Sequence, residues 1–423
     1  MIAAIALAAA VSGATQLTGA LPGGSQYIMH RDTAAATAAI ELWYRAPSAG
    51  YDNASPGIAR LTIAALAVSA RPHGSSLAEI VKRSGGYLSI DVYSDIAMIG
   101  ANVPSWQAPA VLKALTSTYF SPAITDAGLK AALRDSTIVA AQQQYDAPQV
   151  LQNALFERLF AAGAAHYAPV PSTQAAFSKI APQDLRAFAA RALREQNAVL
   201  SIAGNVDAGI LANIPRLSAA QAAPADPPFD STPSGAAVDA TVAAPVAGLG
   251  IAWLGPPIAD AKAATAMDFI ADYLFDPSYG ALASALQQTN GDLFISGQFI
   301  TLHRPGVLIA TIGGANANAA RAQVLQAAAA MSKPLEGKVF EAARNAFVYR
   351  ILAESQTPAS HADNAGWYAV EGDAGYAPGD ESRRYLHIAN SLDAAYVASV
   401  AAQYLQHAAI VQLLTAAAPG SST

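Results

Sequence analysis

The sequence GGYLSIDVYSD, residues 85–95, decides the fold that we predict for this chain. Apolar side chains at Leu88, Ile90 and Val92 alternate with polar ones, which is the period of a half-buried β-strand. Helical patterns precede this strand, and an apolar run at 35–46 predicts an earlier strand. The segment therefore belongs to a unit in which strands and helices alternate along the chain.

The same order of predicted elements occurs twice. In each case a strand is followed by two helices, two strands, a series of helices and a closing strand. The closing strands are predicted at 197–206 and 409–415. Two successive units of about 200 residues with one element order indicate a gene duplication. We therefore predict an α+β fold with two homologous domains that face each other.

Composition sets the predicted domain boundaries. Residues 218–248 are rich in Ala, Pro, Ser and Thr and lack periodicity, so they predict a linker between domains at 21–217 and 249–423. Residues 1–20 are uncharged and open with a short apolar run, which is typical of a secretory leader. A buried first strand is the alternative for this segment. We expect a periplasmic protein with no membrane span in the mature chain.

Composition also excludes several classes of protein. The 423 residues are 53% apolar and 13% charged, which suffices for large cores and excludes intrinsic disorder. The 24 basic and 30 acidic residues give a net charge of −6 without a basic run, so we expect no nucleic-acid partner. The absence of cysteine excludes disulfides, thiolate metal sites and a cysteine nucleophile.

Six short motifs occur in an order and at spacings that resemble the pitrilysin/insulinase family of zinc metallopeptidases, in particular its short two-domain processing-peptidase branch. They are LPGG (21–24), GIARLTIA (57–64), GGYLSIDVYSD (85–95), DAP (146–148), HYAP (166–169) and AGNV (203–206). The resemblance covers nearly all of residues 21–207. It implies that each domain is an antiparallel-rich sheet covered by helices and that the two domains form half of a clamshell.

The resemblance also locates the metal site of the family, which uses the spacing His-x-x-Glu-His and a second Glu about 77 positions later. The residues here are Arg60, Ile63 and Ala64, followed by Ala141 or its neighbour Ala140. Ala and Ile have no lone pairs and arginine stays protonated, so none of them can ligate zinc. We therefore expect no catalytic residue, no metal and no other cofactor in this chain, with zinc only in a partner subunit.

Two further groups of residues are candidate substrate contacts by resemblance. In the family a peptide lies against an edge strand of the first domain. The corresponding residues here are Leu88, Ser89, Ile90, Asp91 and Val92. In the family, the second domain also supplies an Arg and a Tyr that contact the substrate of the partner chain. The residues at these two positions here are Gln287 and Phe294. Gln287 lacks the positive charge, and Phe294 lacks the hydroxyl group. Edge-strand pairing needs only backbone groups and survives these losses, although an ordinary strand without a ligand is the alternative.

These expectations favour a non-catalytic subunit that pairs with a homologous zinc-bearing peptidase chain and completes its peptide-binding chamber. The substrate would be a peptide or an unfolded polypeptide segment. The alternative is a stand-alone scaffold or peptide-binding protein that kept the fold and lost peptidase activity. A second copy of this chain stays open as the partner, and an active peptidase with a relocated site is the least favoured hypothesis.

Overall fold

The structure of the protein is a computed structural model. The residues that it describes are 15–45, 57–71, 74–160, 177, 179–215, 239–289, 292–303, 305–314, 316–371 and 381–415. The motif HYAP at 166–169 and most of the predicted linker lie outside these residues.

The first half of the chain forms a six-stranded sheet. Its strands are β1 (Thr15–Ala20), β2 (Gln26–Arg31), β3 (Thr37–Arg45), β4 (Tyr87–Val92), β5 (Ile96–Pro104) and β6 (Ala198–Gly204). Their order across the sheet is β1-β2-β6-β3-β5-β4. All neighbouring pairs are antiparallel except β2 with β6, which is parallel. Strand β4 is the last in the order and lies at one edge of the sheet.

The second half forms a five-stranded sheet with the same plan. Its strands are β7 (Asp239–Ala244), β8 (Gly248–Leu254), β9 (Phe294–Ile300), β10 (Val307–Gly313) and β11 (Ala409–Thr415). Their order is β7-β11-β8-β10-β9, with β7 parallel to β11 and the other pairs antiparallel. Strands β7 to β11 thus repeat β2 to β6 in order and direction. The predicted duplication and α+β fold class are confirmed.

Helices cover both sheets. Those of the first half are α1 (Ile58–Val68), α2 (Leu77–Arg83), α3 (Ala108–Phe120), α4 (Asp126–Gln143), α5 (Ala147–Leu159) and α6 (Pro182–Ala192). Those of the second half are α7 (Ala261–Phe275), α8 (Ala281–Thr289), α9 (Arg321–Ala330), α10 (Gly337–Glu354), α11 (Pro358–Glu371), α12 (Glu381–Ser391) and α13 (Ala394–Tyr404). None of these described helices combines the length and hydropathy that crossing a bilayer requires.

The motif DAP at 146–148 has a local structural role at the start of α5. Asp146 is the N-cap residue, and its carboxylate accepts a hydrogen bond from the backbone N–H of Gln149 at 3.5 Å. Pro148 lies in the first turn, where the helix needs no N–H donor from it. A short polar N-cap followed by proline therefore fixes where α5 begins.

Two helices are exchanged between the halves. Helix α5 of the first half packs its Leu151 and Leu155 against the second sheet, in a cluster with Ala252 and Val411. Helix α11 of the second half packs against β2, β3 and β6 of the first sheet, where Val370 joins a second buried cluster. Each sheet is therefore covered on one face by its own helices and on the other by a helix from the opposite half.

Glycines permit the close approach of both exchanged helices. A Cβ at Gly250 in β8 would lie 2.8 Å from the Leu155 side chain of α5. A Cβ at Gly366 in α11 would collide with the indole of Trp43, which is completely buried in β3. A side chain larger than hydrogen at either position would separate helix from sheet.

Two strands lie where the sequence predicted other structure. Strand β1 covers the end of the predicted leader at 1–20, and all six of its residues are exposed. Strand β7 lies inside the predicted linker at 218–248. Both are short and rich in Ala, Thr and Gly, so their periodicity is weak, and each is held by backbone bonds to one neighbouring strand.

We expect Gly366→Ala to lower the free energy of unfolding by about 1–3 kcal/mol, because the added methyl group overpacks the contact between α11 and Trp43. Urea denaturation measures the change. Gly337→Ala at the start of α10 is the matched control, since a Cβ there meets no atom within 4 Å. The control is expected to be neutral or stabilising by up to about 1 kcal/mol. Equal effects of the two substitutions would contradict the proposed close contact.

Candidate functional site

A cavity of about 760 Å³ lies between the two halves. The first half contributes Arg60 from α1, residues 91–94 at the end of β4, and side chains of α4 and α5. The second half contributes residues 298–302 at the end of β9 and side chains of α10 and α11. We call this cavity the chamber. Its walls bring together segments that are several hundred positions apart in sequence.

The residues at the predicted metal positions on α1 do not share one environment. Helix α1 begins after Gly57, whose positive φ of 84° is the left-handed conformation that favours glycine. Arg60 lines the chamber, whereas the Ile63 side chain is 1% exposed and belongs to the core of the first half. Ala64 is half-buried and packs against the same core. Only the first of the three predicted positions presents a side chain to the chamber.

Ala140 and Ala141, the two candidates for the fourth position, lie in different surroundings. Ala140 on α4 lines the chamber with Ser136 and Gln143, at intervals of four and three residues that place them on one face of the helix. Ala141 is exposed to solvent and is not among the residues that line the chamber. The spacing leaves both residues possible, and the assignment of the fourth position to Ala141 stays a prediction.

The side chains at these positions do not fit a divalent ion. Ile63 and Ala140 offer no ligand atom, and the Arg60 guanidinium carries a positive charge that would repel the ion. Elsewhere in the described residues, no group of three or more His, Cys, Asp and Glu side chains is arranged to hold a metal ion. No reaction step through zinc can be derived for this chain.

Strand β4 presents its two faces to different surroundings. Leu88, Ile90 and Val92 pack against the core of the first half. Ser89 and Asp91 face a smaller cavity of about 280 Å³ beside α11, and Asp91 and Val92 also line the chamber. Strand β4 pairs with β5, and no described strand pairs with its other edge. Backbone N–H and C=O groups along this edge could pair with an added strand.

Of the two predicted substrate contacts of the second half, Phe294 does not line the chamber. Phe294 is the first residue of β9 and is 55% exposed, whereas the chamber is lined by the opposite end of that strand. Gln287 lies on α8, and its side chain is outside the described residues. The prediction that both residues contact a substrate stays untested.

Residues 179–346 match the family model described as the peptidase M16 inactive domain. This segment is similar to the M16 inactive domain. The match begins just before α6, crosses the linker and ends within α10. It confirms the predicted resemblance to the pitrilysin/insulinase family and fits the non-catalytic character that the residues on α1 and α4 indicate.

Solved structures share the fold of this chain. A protease from Helicobacter pylori is 15% identical, with a TM-score of 0.81 over 95% of this chain and 99% of that one. A peptidase M16 inactive domain from Pseudomonas fluorescens is 16% identical, with a TM-score of 0.77 over 96% and 99%. A chain of Complex III2 from Candida albicans, Inz-5 bound, is 17% identical, with a TM-score of 0.77 over 94% and 95%. None of the curated proteins matches the sequence.

Two carboxyl groups that the sequence did not single out, those of Glu41 and Asp363, lie near β4. Glu41 of β3 is 7% exposed and accepts a hydrogen bond from Nε1 of Trp43 at 2.8 Å. Burial, together with the charge of Asp363, raises the pKa of Glu41 to about 8. Burial and the nearby Asp91 raise the pKa of Asp363 on α11 to about 6. The only sequence signal was Glu41 itself, a carboxylate inside an apolar strand.

A further buried carboxyl group, that of Glu371, lies between the two halves at the end of α11. The backbone N–H of His303 donates to Oδ2 of Asp95 at 3.2 Å, and its Nδ1 lies 3.1 Å from the Glu371 carbonyl oxygen. The Glu371 side chain is nearly inaccessible, and burial and Asp95 raise its pKa well above the usual range. A protonated Glu371 can donate to Asp95, which stabilises contact between the halves.

The chamber wall of the second half carries a further polar network. Tyr385 donates to Oδ2 of Asp268 at 2.9 Å, and Arg350 contacts Asp272 and donates to Glu354 at 2.9 Å. Burial raises the pKa of Asp268 to about 7, against the hydrogen bond from Tyr385. Because its two carboxylate partners neutralise Arg350, this wall presents no net positive charge from that residue.

We expect the stability of the protein to fall as pH rises from 6.5 to 8. A carboxyl group with a raised pKa in the folded state stabilises most below its unfolded pKa, and this contribution is lost as pH rises through the folded value. Burial lowers the pKa of His361 to about 4 and also lowers that of His30. Protonation of these histidines weakens the folded state only below pH of about 6.5. The window from 6.5 to 8 therefore isolates the carboxyl groups.

Glu41→Gln should make this dependence shallower, by up to about 1.4 kcal/mol per pH unit, because the amide can still accept from Trp43 but does not titrate. Urea denaturation at pH 6.5, 7.25 and 8.0 measures the slope. Glu341→Gln on the exposed face of α10 controls for the loss of one surface carboxylate. An unchanged slope in Glu41→Gln would show that Glu41 is ionised in the folded protein at pH 6.5.

Proposed function

We propose that this chain is a non-catalytic subunit that completes the peptide-binding chamber of a homologous zinc-bearing peptidase in the periplasm. The observation that carries the proposal is a chamber with an unpaired edge strand in its wall and no side chains for metal catalysis at the family's metal positions. The scaffold for binding a peptide is retained while the means of cleaving it is absent.

The peptide or unfolded segment would add as a strand to the free edge of β4. Main-chain hydrogen bonds give such a ligand most of its affinity, so many sequences can bind. The chamber is lined by both aromatic and polar side chains, among them Trp367, Tyr368 and Phe299. Aromatic surface can cover the apolar side chains of an extended peptide.

Exposed apolar side chains support a protein partner at the chamber rim. Ile138 and Tyr145 lie on or just after α4, and Tyr349 and Leu352 lie on α10, with exposures between 44% and 72%. Helices α4 and α10 hold equivalent positions in the duplicated halves, and both contribute to the chamber wall. A homologous subunit with the same duplicated fold could place its own rim helices against both, which would bury these side chains.

We expect a chain with an intact His-x-x-Glu-His motif to co-purify with this protein at a one-to-one ratio from its native host. The partner is identified by mass spectrometry and then produced alone and with this chain. Hydrolysis of fluorogenic peptides should require the partner, increase when this chain is added, and be absent from this chain alone.

Substitutions at the rim serve as controls for that experiment. Tyr349→Ser with Leu352→Ser should weaken co-purification, whereas Leu17→Ser on the exposed strand β1 should not. One equivalent of tightly bound zinc in this chain alone, with peptide hydrolysis, would refute the non-catalytic assignment. Metal analysis by plasma mass spectrometry provides that measurement.

A stand-alone scaffold is the second candidate function. It is favoured by the similarity to a chain of Complex III2, which covers 94% of this protein. A scaffold would co-purify with proteins that lack the zinc motif, and its binding of peptides would not stimulate hydrolysis by any partner. The co-purification experiment therefore distinguishes the two candidates.

A further inference from the structure

Arg60 occupies the first of the family's metal positions on α1. Its side chain lines the chamber on the face of α1 next to β4. No hydrogen bond or ion pair joins its guanidinium to another described residue. Asp91 is the acidic residue whose ionisation Arg60 favours, although burial outweighs Arg60 and raises the pKa of Asp91. The guanidinium is therefore a hydrogen-bond donor open to a ligand.

The chamber wall formed by α4 and α5 has no charged side chain and carries several polar ones beside the apolar Val139, Ala140 and Phe156. The polar side chains are Ser136, Gln143, Gln149, Gln152 and Asn153. Gln149 donates to Asn153 at 3.0 Å, which orders this pair. Amide and hydroxyl groups can donate to an anion without adding a competing charge. The acidic residues that line the chamber lie on other elements, namely Asp91 on β4, Asp268 on α7, Glu354 on α10 and Asp363 on α11.

A peptide that lies along β4 would displace water from Arg60. An arginine that loses its hydration without gaining an anionic partner is strongly destabilised. A planar guanidinium also binds a carboxylate through two parallel hydrogen bonds, which is a stronger interaction than one with a neutral carbonyl. A ligand that supplies a carboxylate at this point is consequently favoured over one that does not.

We propose that Arg60, with the amide side chains of α4 and α5, binds a carboxylate of the peptide held against β4. The carboxylate is either the free C-terminus or an Asp or Glu side chain, since both present the same two oxygens. This site rests on the proposed peptide-binding function and adds the ligand class. Arg60 then selects acidic or carboxylate-terminated segments at the position that binds a metal ion in catalytic members of the family.

The experiment uses the full chain and fluorescein-labelled ten-residue peptides rich in Thr and Val, whose binding is measured by fluorescence anisotropy. One pair differs only at the C-terminus, carboxylate or amide. A second pair carries a C-terminal amide and differs in one central Glu or Gln. In one of the two pairs, the peptide with the carboxylate should bind at least about tenfold more tightly than its uncharged counterpart, and that pair identifies the source of the carboxylate.

Arg60→Gln should remove that preference while leaving the amide peptides bound with unchanged affinity. Arg60→Lys should keep part of the preference for the carboxylate peptide, because lysine keeps the positive charge but lacks the paired N–H donors of arginine. Arg134→Gln, on the exposed face of α4, is the control and should keep the full preference. Circular dichroism melting of each variant shows that it is folded.

The outcomes separate this inference from the proposed function. Equal binding of carboxylate and amide peptides by the unaltered protein overturns the carboxylate site but leaves peptide binding in place. A preference that persists in Arg60→Gln overturns the role of Arg60. Failure of every peptide to bind overturns both the carboxylate site and the peptide-binding function.

Discussion

The chamber depends on the exchange of α5 and α11 between the two sheets. Each helix is attached to one half of the chain but buries its apolar face against the sheet of the other half. The halves cannot separate without exposing both interfaces to water, at a cost that grows with the apolar area uncovered. Because this packing joins the halves, the end of β4 and the end of β9 stay opposite each other across the chamber.

The same exchange explains where the titratable groups lie. Helix α11 carries Asp363 and Glu371 onto the first sheet, where they approach Glu41, Asp91 and Asp95. Carboxyl groups from separate elements are thus buried near one another, and each disfavours ionisation of the next. Because these carboxyl groups are buried at the interface between α11 and the first sheet, the stability of that interface depends on their protonation. Protonation of these carboxyl groups favours the contact between α11 and the first sheet.

Periodicity and order sufficed to predict most of the fold. The alternation at Leu88, Ile90 and Val92 predicted β4, and the repeated order of elements predicted the duplication that the two sheets confirm. The short strands β1 and β7 escaped prediction, because their stability comes from backbone pairing with a neighbouring strand. The exchange of helices is a tertiary feature, which no local pattern encodes. For the same reason the sequence could not show which of Ala140 and Ala141 lines the chamber.

Loss of the metal positions is connected to the core of the first half. Ile63 packs among buried apolar side chains, whereas a glutamate at that position of α1 would have to keep a carboxylate out of the same core. The apolar side chain therefore adds buried surface to the scaffold as it removes a catalytic group. Restoring the glutamate alone would introduce an unpaired carboxylate without regaining a metal site, since Arg60 and Ala64 still provide no ligand. Each single reversion is thus unfavourable, and the scaffold and the edge of β4 persist without the chemistry.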